Sequence, residues 1–325
     1  MNEINEKNII ELAWRFFKRD KKELLGIDDA IAFTTNHNKI IVLNIDTFDE
    51  ETDWLPGMSY FDIGWKSTIM SMSDVIVKGS KPIGCVISLG VPKPITIENL
   101  KDLYKGIKSA CNYVGASFWG GDTSFTLTLH LSVVSIGLTN KLIPRSKASP
   151  NDILYTTSLY GLTSLGYNYL LKGEIYTYGI KTFLEELYRP KLVNLQFWNE
   201  IQKYVTASID SSDGLAVSLN LLSEASNVKI IIENLPIHPI VYQNVKIEDQ
   251  AIDLALYHGG EEFSFIFTVP SDKSEEILEI AKKYDCDIYR IGHIKKGIGV
   301  YLKRNEKYIK ISPKGWLHGT KWEDR

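Results

Sequence analysis

The densest group of side chains able to do chemistry lies in residues 206–215, where Asp210 and Asp213 flank two serines and a glycine follows. Leu215 and Leu219 come next with the spacing of one helix face, so a helix is predicted to begin here. The start of a helix offers free N–H groups and a field that favours anions. Two carboxylates at that place would repel a phosphate unless a hard cation such as Mg²⁺ lay between them. The alternative is an ordinary helix N-cap, for which Asp and Ser are common residues.

The same combination of carboxylates with small residues recurs along the chain, mostly at the ends of predicted elements. These carboxylates are Asp28-Asp29 after Gly26, Asp46, Asp74 after Ser73, Asp122 after Gly120-Gly121, and Glu261-Glu262 after Gly259-Gly260. Glycine lets the backbone approach a ligand closely, and free N–H groups in such turns can cradle a phosphate. Several Mg²⁺ ions on a polyphosphate, with a cation such as Arg145, would meet the needs of phosphoryl transfer. Each motif alone is typical of an ordinary turn, so the prediction depends on their number.

Motifs of several well-known enzyme classes are missing from the sequence. The chain has no Gly-x-x-x-x-Gly-Lys-Ser/Thr loop and no protein-kinase motif set. It has no His-x-x-x-His pair and no paired Cys-x-x-Cys motif for zinc. Ser164 and Ser212 lie near glycines, but neither lies in a Gly-x-Ser-x-Gly turn. Metal-assisted transfer by the carboxylates therefore remains the predicted chemistry.

The elements that must position these residues alternate between helices and strands. Predicted helices cover 5–19, 62–78 and 97–114, and predicted strands cover 39–45, 83–91, 116–119 and 126–137. A mobile loop is predicted over 49–60. Two prolines, two serines and Arg145 within 144–152 predict a domain boundary. We therefore predict two α/β or α+β domains, an N-terminal domain of residues 1–143 and a C-terminal domain of residues 144–325.

Composition limits the class of protein. The chain has 325 residues and a net charge of −3, so no bulk positive charge for nucleic acid is present. No apolar run reaches the length of a membrane span, and the polar, acidic N-terminus is not a secretory signal. Three cysteines form neither a disulfide framework nor a zinc site. We expect a cytoplasmic protein that binds neither nucleic acid nor membrane.

The order of these motifs resembles the thiamine-monophosphate kinase family, within the superfamily of aminoimidazole ribonucleotide synthetase, selenophosphate synthetase and the hydrogenase maturation protein HypE. The resemblance covers roughly residues 24–318. It is carried by Asp28-Asp29-Ala30, Asp46, Ile63-Gly64-Trp65-Lys66, Ser73-Asp74, Gly79, Pro82, Tyr104, Gly106, Gly120-Gly121-Asp122, Arg145, the run Asp210-Ser211-Ser212-Asp213-Gly214-Leu215, Gly259-Gly260-Glu261 and Gly315-Trp316. The Gly-Trp-Lys run, the Asp-x-Ser-Asp-Gly-Leu signature and the Gly-Gly-Glu block, in this order, indicate the kinase branch.

This resemblance implies two α/β domains per chain and a homodimer in which the N-terminal domains of two chains share a β-barrel. It implies direct transfer of the ATP γ-phosphoryl group to a phosphate oxygen of thiamine monophosphate, with several Mg²⁺ ions and no phosphoenzyme. The implied Mg²⁺ ligands are Asp28, Asp46, Asp74, Asp122, Asp210 and Asp213. The implied ATP contacts are Tyr104, Gly121, Arg145 and Ser212. The implied contacts of the thiamine substrate are Asp53, Glu261 and Trp316, the last a flat ring that could stack on a cationic heterocycle or serve as a core anchor.

Residues 27–54 depart from the family pattern. Ile27 replaces a glycine, and Asn44-Ile45 replaces a pair of hydroxyl residues, although Asn44 keeps an amide oxygen. Asp53 stands where a substrate-contacting histidine is expected, and an acid facing a phosphate is unfavourable unless a metal or water intervenes. Glu262 replaces an aspartate. The departures concern the acceptor and the metal count more than ATP binding.

Two alternatives to the kinase follow from these departures. One is another ATP-dependent enzyme of the superfamily with a different acceptor. The N-terminus lacks the reactive cysteine of selenophosphate synthetases, and the C-terminus lacks the cysteine-bearing tail of HypE. The other is a nucleotide-binding regulator with weakened catalysis, which predicts ATP binding without turnover.

Overall fold

The structure of the protein, a computed structural model, describes residues 6–17, 20–35 and 39–315. The first half forms a five-stranded sheet in the order β1-β2-β5-β3-β4, in which only the β3–β4 pair is parallel. The strands are β1 (Ile31–Thr34), β2 (Ile40–Asp49), β3 (Lys81–Pro92), β4 (Ser117–Thr126) and β5 (His130–Thr139). The helices of this half are α1 (Glu6–Phe16), α2 (Glu50–Asp53), α3 (Tyr60–Val77) and α4 (Ile97–Val114).

Helices α3 and α4 cross at two glycines, which brings their backbones into close contact. A Cβ atom at Gly64 would lie 2.1 Å from the carbonyl oxygen of Leu103, and one at Gly106 would lie 2.1 Å from that of Phe61. Real Cβ atoms do not approach backbone oxygens so closely, so both positions require glycine. The crossing fixes α3 on the sheet and, with it, the residues that α3 presents.

The second half forms a seven-stranded sheet in the order β12-β11-β8-β10-β6-β9-β7, in which only β8 and β11 are parallel neighbours. The strands are β6 (Ile153–Thr156), β7 (Ala207–Asp210), β8 (Val228–Ile232), β9 (Phe265–Val269), β10 (Tyr289–Lys296), β11 (Gly299–Arg304) and β12 (Lys307–Ile311). The helices are α5 (Leu162–Leu171), α6 (Ile180–Tyr188), α7 (Leu195–Ile201), α8 (Leu215–Ser226), α9 (Pro239–Asn244), α10 (Glu248–Tyr257) and α11 (Ser274–Lys283), which follows a 3₁₀ turn at Ser271–Lys273.

Helix α3 lies between the two halves and packs on strands of both sheets. One buried apolar cluster joins Ile63 and Ile76 of α3 to Trp198 and Phe265 of the second half. The indole N–H of Trp198 donates to the carbonyl oxygen of Ile76 at 2.8 Å, so this buried polar pair is satisfied. This contact holds the C-terminal half of α3 against the second half of the molecule.

The predicted fold class, two mixed α/β units, is confirmed. The predicted helix over 97–114 is confirmed in both bounds. Two expectations were wrong: the strand predicted at 116–119 continues to Thr126, because it pairs in parallel with β3, and residues 50–53 of the predicted loop form α2. The predicted boundary between residues 143 and 144 stays a prediction. Among the described residues, no helix has the length and apolar character needed to cross a membrane.

Candidate active site

Three carboxylates from distant parts of the chain meet where α3 packs on the second sheet. Asp29 lies in the turn before β1, Asp74 lies on α3, and Asp210 ends β7. One carboxylate oxygen of each lies within 4.8 Å of one of each of the others. The hydroxyl of Ser73 donates to Oδ2 of Asp210 at 2.5 Å. This carboxylate cluster (Asp29, Asp74 and Asp210) joins the two halves of the molecule.

Burial and mutual repulsion disfavour the ionised forms of the cluster. Burial, followed by the charges of Asp210 and Asp29, raises the pKa of Asp74 well above its ordinary value. Burial, followed by the charge of Asp29, raises the pKa of Asp210 to about 7, although the Ser73 hydrogen bond opposes the rise. Like charges held together in a buried site need a proton or a cation between them. The arrangement is therefore suited to binding a cation.

Two buried cations hold the turn that carries Asp28 and Asp29. The Nζ atom of Lys78 lies 2.6 Å from Oδ1 of Asp28 and 2.5 Å from Oδ2 of Asp29. The contact between Lys78 and Oδ2 of Asp29 is an ion pair only, because its geometry does not form a hydrogen bond. The backbone N–H of Arg145 donates to Oδ2 of Asp28 at 3.0 Å, and its guanidinium donates to the carbonyl oxygen of Ile27 at 3.1 Å. The predicted metal ligand Asp28 thus has protein partners on both oxygens.

The residues around the cluster fit a hard cation such as Mg²⁺. The amide nitrogen of Asn44 donates to Oδ2 of Asp74 at 2.7 Å and to the carbonyl oxygen of Asp29 at 3.0 Å. Its Oδ1 atom is buried and has no hydrogen-bond partner within the described residues. The negative charge of Asp46 contributes to the raised pKa of Asp74, and the negative charge of Asp213 contributes to the raised pKa of Asp210. Carboxylate and amide oxygens are the ligands that Mg²⁺ prefers, so the donor set is compatible with it.

Two glycine turns pack face to face next to the cluster. Gly214 has φ +95°, and a Cβ atom there would lie 2.8 Å from the carbonyl oxygen of Gly259. The N–H of Glu261 donates to the carbonyl oxygen of Ser212 at 2.6 Å, which locks the turns together. Helix α8 begins after Gly214 with no side-chain cap. The alternative that Asp210 or Asp213 is an ordinary N-cap is therefore wrong.

A second group of charged residues lies around Glu261, which follows one of these turns. Lys66 of α3 is fully buried, and its Nζ atom lies 2.7 Å from Oε2 of Glu261. The hydroxyl of Tyr167 donates to the same oxygen. Asp53 lies close enough that its pKa rises to about 6, first through burial and then through the charge of Glu261. Two predicted substrate contacts, Asp53 and Glu261, are thus brought together with Lys66.

Glu262 faces inward rather than toward this charged group. It accepts hydrogen bonds from the hydroxyls of Thr163 at 2.6 Å and Ser211 at 3.3 Å. Burial raises its pKa to about 7, against the effect of these hydrogen bonds. Its contact with Ser211 makes it a support for the turn that follows Asp210.

Three predicted site residues lie at the far edge of the first sheet. Gly121 and Asp122 lie in the edge strand β4, and the ring of Tyr104 contacts that of Phe118 at 6.3 Å between centroids. Strands β5 and β3 separate β4 from β2, which carries Asp46, so the separation is roughly 14 Å within the sheet. A single chain does not bring these residues to the carboxylate cluster. Trp316 lies outside the described residues.

Comparison with known proteins places this site in a family. Residues 27–139 match the model for the N-terminal domain of AIR synthase related proteins, and residues 182–304 match that for the C-terminal domain. A thiamine-monophosphate kinase of Nitrosopumilus maritimus (strain SCM1) is 31% identical over 323 residues, covering 98% of this chain and 99% of that protein. The chain belongs to the thiamine-monophosphate kinase family. A further relative of that name, from Archaeoglobus fulgidus, is 30% identical over 320 residues, covering 97% of this chain and 98% of that protein.

Solved structures agree with membership of the thiamine-monophosphate kinase family. The structure described as AaThiL complexed with AMPPCP and TMP matches with a TM-score of 0.85 and 28% identity, covering 98% of each chain. A HypE–HypF complex matches with a TM-score of 0.73 at 20% identity, covering 94% of this chain and 98% of that one, which shows a shared fold alone. Proteins of the thiamine-monophosphate kinase family are phosphotransferases, and this chain is an enzyme of that class.

Sequence reasoning assigned no role to four residues that this member of the thiamine-monophosphate kinase family places in or beside the site: Asp29, Lys66, Lys78 and Tyr167. Asp29 was noticed only as the neighbour of Asp28. A signal for the two lysines was available, because each interrupts a largely apolar stretch of α3 or its end. Buried lysines need partners, and the acidic turns could have supplied them.

Proposed function

We propose that the protein phosphorylates thiamine monophosphate to thiamine diphosphate with ATP and Mg²⁺. The observation that carries the proposal is the meeting of Asp29, Asp74 and Asp210 between the two halves, beside the paired glycine turns. Support comes from the related AaThiL structure, whose ligands are named as AMPPCP, an ATP analogue, and TMP. At 28% identity, the fold of the two proteins is shared over 98% of each chain.

The carboxylates and Asn44 would hold the metal ions. We assign Asp29, Asp74 and Asp210 to this role together with the amide oxygen of Asn44, because these atoms are close together or lack a protein partner. The further carboxylates proposed as ligands are Asp46, Asp122 and Asp213. Asp28, which the family resemblance also implies as a ligand, is engaged on both oxygens by Lys78 and Arg145. Bound Mg²⁺ would neutralise the phosphate oxygens and so favour attack on the γ-phosphorus.

The phosphoryl group would pass directly between the two substrates. A phosphate oxygen of thiamine monophosphate would form the new P–O bond as the bond from the γ-phosphorus to the ADP oxygen breaks, in line and without a phosphoenzyme. The protein's part is to position both substrates and to exclude water. Lys66 and Tyr167 serve this role by fixing the carboxylate of Glu261.

The nucleotide and acceptor sides are proposed from the positions of the residues. Arg145 and Ser212 adjoin the carboxylate cluster and would contact ATP. Asp53 and Glu261 would contact the thiamine substrate, and so would Trp316. The negative charge of Asp53 would disfavour the phosphate of thiamine monophosphate unless a metal ion or water lay between them.

We further propose a homodimer formed through β4. Within the part of the chain that the structure describes, this ten-residue strand has an unpaired side, and it exposes Phe118, Trp119 and Phe125, with Leu127 just beyond it. Long apolar edges of this kind pair with another chain unless they are covered. A second copy would cover the edge in a shared barrel and would let Tyr104, Gly121 and Asp122 contribute to a complete site. The three free cysteines support a cytoplasmic location.

ADP release tests the proposal and separates it from the alternatives. The purified protein would be given ATP and Mg²⁺ with thiamine monophosphate, with thiamine, or with no acceptor. We expect ADP release that requires thiamine monophosphate. ADP release only with another acceptor would indicate a different acceptor specificity, for which Asp53 is the candidate residue. ATP binding without ADP release under any condition would favour the nucleotide-binding regulator.

A further inference from the structure

Lys78 is a fully buried lysine that contacts the carboxylate cluster and is not used by the proposed reaction. It follows the last residue of α3, one turn beyond Asp74, and its side chain has no solvent exposure. Its Nζ atom reaches Asp28 and Asp29 at 2.6 and 2.5 Å and the carbonyl oxygen of Ser208 at 2.7 Å. An ammonium group has three donors, and three acceptors surround this one.

The place that this ammonium occupies resembles that of a bridging cation. It lies between carboxylates of adjacent residues and also contacts a backbone carbonyl, an all-oxygen surrounding of the kind that binds hard cations. Unlike a metal ion, it carries one charge and is tethered to α3. Asp28 is also committed on its other oxygen, which accepts the backbone N–H of Arg145 at 3.0 Å. Only Asp29 is shared between the ammonium and the cluster with Asp74 and Asp210.

We propose that the Lys78 ammonium takes the place of one divalent cation between Asp28 and Asp29, so that the chain binds one metal ion fewer than its carboxylates would otherwise hold. The inference deepens the proposed metal-dependent function and rests on it. Lys78 is then a positioning residue, which holds the Asp28-Asp29 turn in place before any metal or nucleotide binds. Asp28 belongs to this internal ion pair alone, whereas Asp29 belongs both to the ion pair and to the cluster with Asp74 and Asp210 that faces the exchangeable ions.

Counting Mn²⁺ ions bound to the full-length protein tests this inference without using activity. Free Mn²⁺ would be measured by electron paramagnetic resonance during titration of the wild type and Lys78→Ala, a change that removes the charge and leaves room for an ion. We expect Lys78→Ala to bind one more Mn²⁺ per chain than the wild type. The matched control is Lys81→Ala, an exposed lysine three residues later, which should leave the count unchanged. An equal or lower count for Lys78→Ala overturns the inference.

A second variant keeps the test decisive if Lys78→Ala does not fold. The Asp28→Asn variant, in which Lys78 is kept, should bind as many Mn²⁺ ions as the wild type, because Asp28 is held by Lys78 and Arg145. The Asp74→Asn variant should bind fewer Mn²⁺ ions than the wild type. A loss of one Mn²⁺ in Asp28→Asn contradicts the assignment. The ADP assay separates the two claims: an inactive protein with the expected counts refutes the proposed function alone, and an active protein with the wrong counts refutes this inference alone.

Discussion

The Nζ atom of Lys66 lies 2.7 Å from Oε2 of Glu261, although 195 positions separate the two residues. Lys66 comes from helix α3 of the first half, and Glu261 comes from the glycine turn before β9 of the second. Glu261 has φ +59°, a left-handed conformation that costs energy for a residue other than glycine. An ion pair in which a buried lysine holds a strained, half-buried carboxylate is typical of a site where a side chain must be placed accurately.

The substitution Asp210→Asn should abolish turnover while leaving the fold intact. It removes one charge from the carboxylate cluster but keeps an oxygen that can accept the Ser73 hydrogen bond. Loss of several kcal/mol of metal-dependent charge stabilisation corresponds to a decrease in kcat of about a thousandfold. The melting temperature should not fall, because burial already disfavours the ionised form of Asp210. The control is Asp272→Asn, an exposed aspartate in the 3₁₀ turn, and unchanged turnover in Asp210→Asn would remove Asp210 from the metal site.

The substitution Asp53→His should strengthen binding of thiamine monophosphate if Asp53 faces the acceptor. Asp53 lies beside Glu261 and Lys66, and a neutral or cationic imidazole would reduce the negative charge there. The expected result is a decrease of several-fold in the KM for thiamine monophosphate with little change in the KM for ATP. Steady-state kinetics with each substrate varied in turn would show this split. Equal constants for both proteins would place Asp53 outside the site.

The stability of the protein should depend on pH through Glu262. Its pKa is about 7 in the folded protein and near 4.5 when exposed, so the folded state retains the proton between these values. Stability contributed by protonated Glu262 is therefore present below pH 4.5 and is lost as the pH rises to about 7. Relative to the wild type, Glu262→Gln should gain about 1 to 3 kcal/mol in free energy of unfolding over this range. Urea unfolding at pH 4.5, 6 and 8 measures the difference, and a difference independent of pH would be the contrary result.

The substitution Gly64→Ala should destabilise the protein by about 2 kcal/mol or more, because its methyl group would meet the carbonyl oxygen of Leu103. Helix propensity alone would favour alanine by about 1 kcal/mol, so the sign of the effect identifies the clash. Lys108→Ala, at an exposed position of α4, is the control for substitutions on this helix pair. Thermal unfolding of both variants measures the effect, and a stabilised Gly64→Ala would show that the helices do not cross so closely.

The features that the sequence predicted best are those with a local physical signature. The helix over 97–114 has apolar residues at helical spacing, a Thr96 cap and a glycine end, so both of its bounds could be derived. The glycine turns beside Asp210 and Glu261 were also recognisable, because glycine and carboxylate types stand together in the sequence. The family followed from the order of these motifs and is confirmed by full-length relatives.

Other features depend on contacts that no local pattern reveals. Neighbouring Asp28 and Asp29 look equivalent in the sequence, and only the packing of Lys78 and Arg145 shows which one adjoins Asp74. A lysine after the last turn of a helix is usually exposed and interacts favourably with the helix dipole. The sequence position of Lys78 therefore does not reveal that its side chain is buried. Strand β4 runs through two glycines because β3 pairs with it, and short-range propensity does not include that partner.

The most direct measurement is the mass of the product formed by the purified protein. Wild type and Asp210→Asn would each be incubated with ATP, Mg²⁺ and thiamine monophosphate, and with each substrate omitted in turn. We predict thiamine diphosphate and ADP in equal amounts, only when both substrates and Mg²⁺ are present, and almost none from Asp210→Asn. ADP without thiamine diphosphate, or thiamine diphosphate at wild-type levels from Asp210→Asn, would contradict the account.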